Sequence, residues 1–451
     1  MDMRGSDSQV QAREVALKAL GVFRRKKAWS DLTLSGLIDS AGLSPLDAAL
    51  STQLVNGVLQ NMALCDFYAA DFSTMTLKKM EPRVLDILRM SIYQLVFLTK
   101  IPHSAAVNEG VSLTKKYSNS RAAGFVNAVL RKISKAVMDG DLPEIGGKTL
   151  QRLSVKYSHP EWLVMRLIEL LGVDGAEAFL KSNNSGDIPI TAQVNTLVTD
   201  MDETLSSLRE EGVEAERHEW LDNCINLRGA GNIARLDAYK KGLFYVQDAA
   251  SRLAVMAAGP KKSDFVIDGC AAPGGKSFAA AIAMENSGRV AAFDLHAARL
   301  RQMEVGAKRL GVGVIDVIRQ DASSLLNGFA GMADLVIADV PCSGFGVIRK
   351  KPDIRYKPEQ ETAGLPDIQK RILSALSTYV SPGGALLYST CTVLRRENED
   401  IIEWFLRGNR QFETESFTLP GAGEARGGMI TLWPHIHGTD GFFICKLRKS
   451  K

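Results

Sequence analysis

Two cysteines follow strand-like segments, and each lies in a short motif of small and polar residues. Cys342 lies in residues 340–344, Val-Pro-Cys-Ser-Gly, and Cys391 lies in residues 389–392, Ser-Thr-Cys-Thr. A cysteine is more often a small buried hydrophobe, and we give that interpretation to Cys65, Cys224 and Cys445. Flanking Pro, Ser, Thr and Gly at strand ends favour chemistry for the other two. A thiol pair of this kind predicts covalent catalysis on a substrate without its own nucleophile.

A glycine-rich loop precedes these motifs in the sequence. It consists of Cys270, Ala271, Ala272, Pro273, Gly274, Gly275 and Lys276. The loop lies between a predicted strand, residues 265–268, and a predicted helix, residues 278–284. In such a loop, backbone N–H groups and the helix N-terminus favour negative charge. The spacing matches neither GxGxxG nor a Walker A motif, so it does not indicate a dinucleotide or a nucleoside triphosphate.

Acidic residues follow the next two predicted strands. Asp294 comes after residues 290–293, and Asp321 comes after residues 314–318. Each acid alone is more often a cap or turn residue. Acids in register on successive strands favour a nucleoside ligand, because their carboxylates can accept hydrogen bonds from the ribose hydroxyls. S-adenosylmethionine has no pyrophosphate, so a short glycine turn suffices for its amino acid end. The sequence therefore predicts S-adenosylmethionine, whose sulfonium is an electrophile.

The residues around Cys342 limit the kinds of methyl acceptor that the site can serve. Asp339 begins an Asp-Val-Pro-Cys run where many amine methyltransferases carry Asp/Asn-Pro-Pro-aromatic, which disfavours methylation of an exocyclic amine. The C5 carbon of a pyrimidine is too electron-poor to attack a methyl group until a thiolate adds at C6. Cys391, Asp339 and Cys342 supply a nucleophile, a group for the ring at N3 and a base, and the residues alone do not rank the two thiols. The target base must leave its stack to be reached.

Cationic residues suggest an anionic polymer as partner. Residues 345–355 are basic with interleaved apolar residues, and phosphate contacts near the target base are predicted there. The candidates for RNA binding are Arg349, Lys350, Lys351 and Arg355. Cations also outnumber acids in residues 1–140, including the run at residues 24–27. A surface loop and a solvated helix face are equally good explanations of these two segments taken alone.

Composition bounds the class of protein. With 451 residues, 45% hydrophobic and 24% charged, the chain is expected to be a soluble protein of two or three domains. The six cysteines show no CxxC and no zinc spacing, and His435 and His437 lack a third ligand nearby, so no metal is expected. Without an apolar signal core or a long apolar stretch, a reduced, cytoplasmic protein without a membrane span is expected.

Periodicity predicts three regions. Residues 10–137 read as all-helical, with a helix start at Ser44, and residues 139–147 read as a linker. A mixed region follows, and from residue 264 strands alternate with helices, which predicts a doubly wound, mainly parallel sheet. The expected domains are 1–145, 146–258 and 259–451. Residues 421–428 are expected to form a mobile loop.

These motifs resemble those of the NOL1/NOP2/Sun family of RNA cytosine-C5 methyltransferases. The resemblance rests on CAAPGGK at residues 270–276, PCSG around Cys342, GVIRKKPDIR at residues 346–355 and STCT around Cys391. Residues 242–248 are similar to the family's lead into its catalytic domain, and the helical region, above all residues 125–130, resembles NusB-type RNA-binding domains. The resemblance implies an α/β, Rossmann-like S-adenosylmethionine-dependent methyltransferase domain, preceded by an all-α NusB-like domain and a small α+β domain.

The resemblance also assigns roles. It implies that Cys391 is the nucleophile and Cys342 the helper in product release. It implies that Asp294 and Asp321, with the glycine loop, bind the cofactor, and that Asp339 serves the cytosine ring or the edge of the cofactor site. One departure is Gln193, where the family often has Arg two residues before the Asn. With Gln in place of that Arg, one contact expected from the family, either to RNA or within the protein, is in doubt.

The expected function is methylation of C5 of a cytosine in RNA, with small-subunit 16S rRNA as the first choice of partner. A tRNA substrate is an alternative, and so is a non-catalytic RNA-binding or ribosome-assembly factor in which the helical domain is the working part. The intact loop, the acids and both thiols argue against the non-catalytic reading. A monomer is expected.

Overall fold

The computed structural model describes residues 4–26, 31–186 and 188–451. Lys27, the last residue of the predicted basic run, lies outside the described residues, and the side chain of Lys26 is not described either. The chain divides into two compact units. The first comprises Met1–Gly186 with Lys351–Lys357, and the second comprises Asp187–Lys350 with Pro358–Lys451.

Helices form the regular structure of the first unit in its described residues. They are α1 Arg4–Lys26, α2 Asp31–Ala41, α3 Pro45–Asp71, α4 Pro82–Phe97, α5 His103–Tyr117, α6 Ser120–Asp139, α7 Thr149–Tyr157 and α8 Glu161–Asn183. Ser44 caps α3 as predicted, because its Oγ accepts a hydrogen bond from the Asp47 N–H at 3.2 Å while Pro45 occupies the first turn. Of all helices in the described ranges, none is long and apolar enough to cross a membrane.

The short segment Lys351–Lys357 packs within this helical unit. Tyr356 donates its hydroxyl proton to the Leu59 carbonyl at 2.6 Å, and its ring meets Phe23 edge-on at 5.7 Å between centroids. Burial of large apolar side chains such as Leu59 and Ile87 supplies the main stabilisation of the unit.

A small antiparallel sheet opens the second unit, in the order β2-β3-β1-β4. Its elements are β1 Ile190–Val194, α9 Met201–Glu210, β2 Glu214–Arg217, β3 Cys224–Arg228, α10 Asp237–Lys240 and β4 Phe244–Val246. Asn195 is buried and donates from Nδ2 to the carbonyls of Gly242 at 3.0 Å and Leu310 at 2.8 Å. Gln193 is also buried and donates to the Gln247 carbonyl at 3.2 Å, so the departure from the family pattern is filled by a contact within the protein.

The larger sheet carries the order β10-β14-β9-β8-β5-β6-β7. The elements are α11 Ala249–Ala258, β5 Phe265–Asp268, α12 Gly275–Ala283, β6 Arg289–Asp294, α13 Ala297–Arg309, β7 Ile315–Arg319, β8 Ala333–Asp339, α14 Leu365–Ser377, β9 Val380–Thr390, α15 Glu399–Gly408, β10 Phe412–Thr414, β11 Phe417–Leu419, β12 Gly423–Ala425, β13 Met429–Leu432, α16 Pro434–His437 and β14 Phe442–Lys449. Strands β5 to β9 pair in parallel, and β14 is antiparallel to β9. The predicted doubly wound, mainly parallel sheet is confirmed.

The direction of winding reverses at β5. From there the chain runs outward through β6 and β7, then returns to β8 on the other side of β5. The carboxyl ends of the parallel strands meet at this edge, which is where open α/β sheets bind ligands. One expectation is corrected: residues 421–428 are not a loop throughout, because Gly423–Ala425 pairs with Phe417–Leu419 as an antiparallel hairpin.

Candidate active site

The strand ends at the winding reversal bring the predicted thiols together. Cys342 follows β8 and Cys391 follows β9, and their sulfur atoms are 3.0 Å apart. Both side chains are partly exposed. Strand pairing from Asp339 to Ser389 fixes the separation, because β8 and β9 are in register up to their carboxyl ends.

Polar contacts between the two turns hold the thiols in place. The hydroxyls of Ser343 and Thr392, each next to a cysteine in sequence, are 2.8 Å apart. Glu397 is buried and its Oε2 accepts from the Ser343 N–H at 2.9 Å and from the Gln369 amide at 3.0 Å. Glu397 and Gln369 were not identified from the sequence, since a buried acid on a short helical turn carries no local signal.

The environment distinguishes the two sulfurs. A hydrogen bond from the Cys342 thiol lowers the pKa of Cys391, and the Lys276 ammonium lowers it further against the opposing effects of burial and Asp339. The same hydrogen bond, together with burial and the charge of Glu397, raises the pKa of Cys342 well above its ordinary value. These opposite pKa shifts favour a thiolate at Cys391 with Cys342 as its hydrogen-bond donor. Burial raises the pKa of Cys270, which makes that thiol unreactive.

Lys276 and Asp339 form an ion pair at the same edge. Lys276 Nζ donates to Asp339 Oδ2 at 2.7 Å, and Ser389 Oγ donates to Oδ1 at 2.7 Å. The ring of Phe442 lies 5.0 Å from the ammonium, a cation–π distance. Because the Asp339 side chain remains 29% exposed, it can meet the polar edge of a planar ring. Lys276 was predicted with the cofactor loop, and the structure places its head group with the thiols.

The glycine loop requires its glycines. Gly274 has φ of 109°, and a Cβ there would lie 2.4 Å from the Phe278 ring. Ser277 donates to Asp268 at 2.6 Å beneath the loop. Burial raises the pKa of Asp268 to about 6. Asp268 was predicted only as the end of a strand, although an acid between a buried strand and a glycine loop is a recognisable signal.

The two predicted cofactor acids lie at adjacent strand ends. Asp294 ends β6, is nearly buried and accepts from the His296 N–H at 2.9 Å. Asp321 follows β7, is exposed and accepts from Ser323 N–H at 2.9 Å and Oγ at 2.7 Å, which lowers its pKa. Both residues therefore stabilise turns, and both lie at the carboxyl ends of adjacent parallel strands.

The basic segment is divided in its contacts. Arg349 Nε donates to Asp440 Oδ1 at 2.8 Å, and Lys350 Nζ donates to Asp440 Oδ2 at 3.0 Å and to Asp248. Lys351 is exposed. Of these three, only Lys351 presents its charge to solvent without a carboxylate partner in the described residues.

The predicted RNA contact of Arg355 is corrected. Its guanidinium is fully buried and donates to the carbonyls of Gln60 at 2.8 Å and Tyr157 at 3.1 Å and to the Asn184 side chain at 2.9 Å. Burial lowers its pKa to about 10. A guanidinium used in this way satisfies protein carbonyls and cannot reach a phosphate.

The histidines of residues 435–437 belong to a turn. The Trp433 N–H donates to His437 Nδ1 at 2.8 Å. Within the described ranges, no group of three or more His, Cys, Asp or Glu side chains could hold a metal ion. The groups that the fold gathers at this edge are the thiols of Cys342 and Cys391, the Asp339 carboxylate and the Lys276 ammonium.

Comparison with known proteins agrees with this architecture. The family described as 16S rRNA methyltransferase RsmB/F matches residues 255–448, the NusB family matches residues 10–135, and the RsmF/B-like ferredoxin-like domain matches residues 159–234. The probable ribosomal RNA small subunit methyltransferase B of Bacillus subtilis is 37% identical over 98% of this chain and 99% of its own.

Solved structures share the fold. The crystal structure of PH0851 is similar with a TM-score of 0.80 at 27% identity, covering 98% of each chain. NSun6 from Pyrococcus horikoshii, solved with SFG, matches 65% of this chain and 98% of its own with a TM-score of 0.59 at 24% identity. With three successive family matches and a relative similar from end to end, the chain belongs to the RsmB/F methyltransferases of the NOL1/NOP2/Sun family.

Proposed function

We propose that the protein transfers a methyl group from S-adenosylmethionine to C5 of a cytosine in RNA through a covalent adduct between Cys391 and C6. The observation that carries this proposal is the 3.0 Å thiol pair at the winding reversal, next to the Lys276–Asp339 ion pair. A lone thiol serves many roles, but two thiols of opposite pKa shift beside a carboxylate fit addition followed by elimination.

The residues account for each bond. The Cys391 thiolate adds to C6 and pushes electrons toward N3, where the Lys276 ammonium stabilises them and Asp339 accepts a hydrogen bond from the amino group. S-adenosylmethionine supplies the electrophilic methyl group that C5 attacks. Removal of the C5 proton then expels Cys391 as a thiolate and restores the aromatic ring.

Cys342 fits the base of the last step. While Cys391 is a thiolate, its hydrogen bond keeps Cys342 protonated. Once Cys391 is bonded to C6, that bond is lost and Cys342 can release its proton to solvent. Its thiolate then takes the C5 proton, and departure of Cys391 regenerates the starting pair. One proton per methyl group is released, as the overall reaction requires.

The crevice suits the proposed cofactor. The turn at Gly274 admits no side chain, because a Cβ there would meet the Phe278 ring, and we assign the backbone of this turn to the ligand. We assign the amino acid end to residues 270–276, the ribose to Asp294 and the base to the neighbourhood of Asp321, with Asp339 at the boundary with the target ring. Ala271 and Ala272 are buried and uncharged, and the Lys276 ammonium of the same loop is paired with Asp339.

The target is proposed to be small-subunit 16S rRNA, because the Bacillus subtilis relative is named a probable ribosomal RNA small subunit methyltransferase and the matching family is described as 16S rRNA methyltransferase RsmB/F. We propose the NusB-like region, residues 1–145, as the RNA-binding part, residues 146–258 as the lead-in domain and residues 259–451 as the catalytic domain. A monomeric, cytoplasmic enzyme acting on rRNA is the arrangement proposed.

The experiment is methyl transfer from labelled S-adenosylmethionine to purified 16S rRNA, followed by bisulfite mapping. One or a few 5-methylcytosines absent from RNA of a deletion strain are expected. Label in tRNA alone would move the substrate to tRNA. Absence of S-adenosylmethionine binding would favour a non-catalytic assembly factor and contradict the proposal.

A further inference from the structure

Four charged side chains of the second unit form a closed cluster. Arg349 bonds Asp440 and also donates from Nη1 to the Gly438 carbonyl at 3.1 Å. Lys350 joins Asp440 to Asp248, and the Asp440 N–H donates to Asp248 Oδ1 at 3.2 Å. Two cations and two anions thus neutralise one another across three separate chain segments.

The cluster is largely closed to solvent. The side chain of Arg349 is 10% exposed and that of Lys350 is 30% exposed. Burial would raise the pKa of Asp248, but Lys350 and Arg349 outweigh it and lower that pKa. Charges paired in this way are already compensated, and breaking them to reach a phosphate would leave buried carboxylates unpaired.

A backbone ladder connects this cluster to the thiol site. The Gly346 N–H donates to the Cys391 carbonyl at 3.0 Å, and the Gly441 N–H donates to the Gly346 carbonyl at 2.8 Å. A Cβ on Gly346 would lie 1.8 Å from the Gly441 oxygen and 2.8 Å from the Cys391 oxygen. The backbone segments at Gly346, Gly441 and Cys391 are therefore in direct contact, with no space for a side chain on Gly346. The ion pair between Arg349 and Asp440 joins the segments of Gly346 and Gly441 a second time, and it stabilises the contact between them.

We propose that the cluster of Arg349, Lys350, Asp248 and Asp440 holds the Gly346–Gly441 crossing against Cys391, so that Arg349 and Lys350 are positioning residues of methyl transfer and not contacts to RNA phosphates. This inference rests on the proposed function for its kinetic consequence. Its structural consequence, the setting of Cys391, does not depend on which RNA is methylated.

The two roles differ in what they change. Loss of a phosphate contact weakens RNA binding and reduces the slope of binding against salt concentration by about one. Loss of a positioning residue lowers turnover at saturating RNA and leaves that slope unchanged, because misplacement of a reacting atom costs up to about a hundredfold in rate.

The experiment compares Lys350→Met, Asp440→Asn and the double variant Lys350→Met/Asp440→Asn, with Lys351→Met as the matched exposed lysine. Each single variant is expected to lower kcat by about tenfold or more with an unchanged salt slope. The double variant, which leaves Arg349 and Asp248 as a neutral pair, is expected to recover part of that loss. Lys351→Met is expected to reduce the salt slope.

Cys391 alkylation by iodoacetamide, quantified by mass spectrometry, supplies a readout that needs neither RNA nor cofactor. Cys391 is faced by Cys342, Asp339, Lys276 and Asp440. Lys350→Met leaves excess negative charge in the cluster and should move the pH profile of Cys391 alkylation to higher pH. Asp440→Asn should move that profile to lower pH. The profile of the double variant should lie between the two. The inference is overturned if Lys350→Met reduces the salt slope as Lys351→Met does, or if all three alkylation profiles coincide with that of the parent. Failure of the parent to methylate RNA would sink the proposed function alone.

Discussion

The sulfur atoms of Cys342 and Cys391 lie 3.0 Å apart although 49 positions separate them in the chain. The pairing of β8 with β9 brings them together, and the Ser343–Thr392 contact keeps them there. The pKa of Cys391 is lowered and that of Cys342 is raised, so the two thiols are not equivalent. That asymmetry supports the proposal that Cys391 is the nucleophile, a ranking that the residue types alone do not give.

The thiol pair predicts a pH dependence. Cys342 keeps the pKa of Cys391 below that of an ordinary thiol, so the thiolate persists as pH falls toward neutral. Cys342→Ala removes the donor and should shift the alkylation profile of Cys391 to higher pH, with several-fold slower alkylation at pH 7. Cys342→Ser keeps a donor and should shift it less. Equal profiles for the parent and both variants would contradict the hydrogen-bonded pair.

Asp268 predicts a stability change with a defined sign. Its pKa is about 6 when folded, against about 3.9 for an ordinary aspartate, so the folded state binds the proton more tightly. Its contribution is therefore most favourable at low pH and is lost as pH rises from about 4 to 6. Asp268→Asn, which still accepts from Ser277, should stabilise the protein by up to about 3 kcal/mol above pH 6 and by less at pH 5.

The measurement is the melting temperature of parent and Asp268→Asn at intervals from pH 5 to pH 8. The gap between them should widen with pH and level off above the folded pKa. Asp264→Asn provides a comparison, since that side chain is only partly buried and accepts from the Lys261 N–H at 2.7 Å. A gap that narrows with rising pH would contradict the buried, proton-binding Asp268.

Gly274 predicts a defect in cofactor binding. Alanine at φ of 109° is strained, and its Cβ would meet the Phe278 ring at 2.4 Å. Gly274→Ala should raise the Kd for S-adenosylmethionine by about tenfold or more, corresponding to about 1.4 kcal/mol. Calorimetric titration measures it. Gly408→Ala is the control, because a Cβ there meets nothing within 4 Å; equal affinity of both variants would contradict the required loop conformation.

Arg355 predicts loss of stability without a change in RNA electrostatics. Its buried guanidinium donates to the Gln60 and Tyr157 carbonyls, to which Asn184 Nδ2 also donates, so Arg355→Leu removes buried hydrogen bonds at a cost of about 2–3 kcal/mol. Thermal unfolding should show a clear drop in melting temperature. Salt dependence of RNA binding should match the parent in the fraction that remains folded, and a reduced slope would restore Arg355 as a phosphate contact.

Sequence patterns predicted most of the architecture that positions the site. The alternation after residue 264 predicted β5, β6 and β8, because buried parallel strands are continuous apolar runs that end in Asp268, Asp294 and Asp339. Helices α11 and α14 were missed. Ala249–Ala258 is rich in alanine, so its two faces differ little in polarity. Leu365–Ser377 follows a basic segment and was not predicted as a helix.

Side-chain environments were harder to predict than strands. Nothing local to Arg355 distinguishes a buried guanidinium from an exposed one, since its partners Gln60 and Asn184 are far away in sequence. Arg349 and Lys350 were interpreted as phosphate ligands for the same reason. Their carboxylates come from Asp248 and Asp440, and only the fold brings those together.

The most direct test of the account is capture of the adduct. Cys342→Ala, incubated with 16S rRNA and S-adenosylmethionine, should form a slowly migrating protein–RNA species on a denaturing gel, because addition at C6 proceeds and elimination lacks its base. The species should vanish in Cys342→Ala/Cys391→Ala. Full methyl transfer by Cys391→Ala, or an adduct that survives in the double variant, would contradict a covalent bond between Cys391 and the cytosine ring.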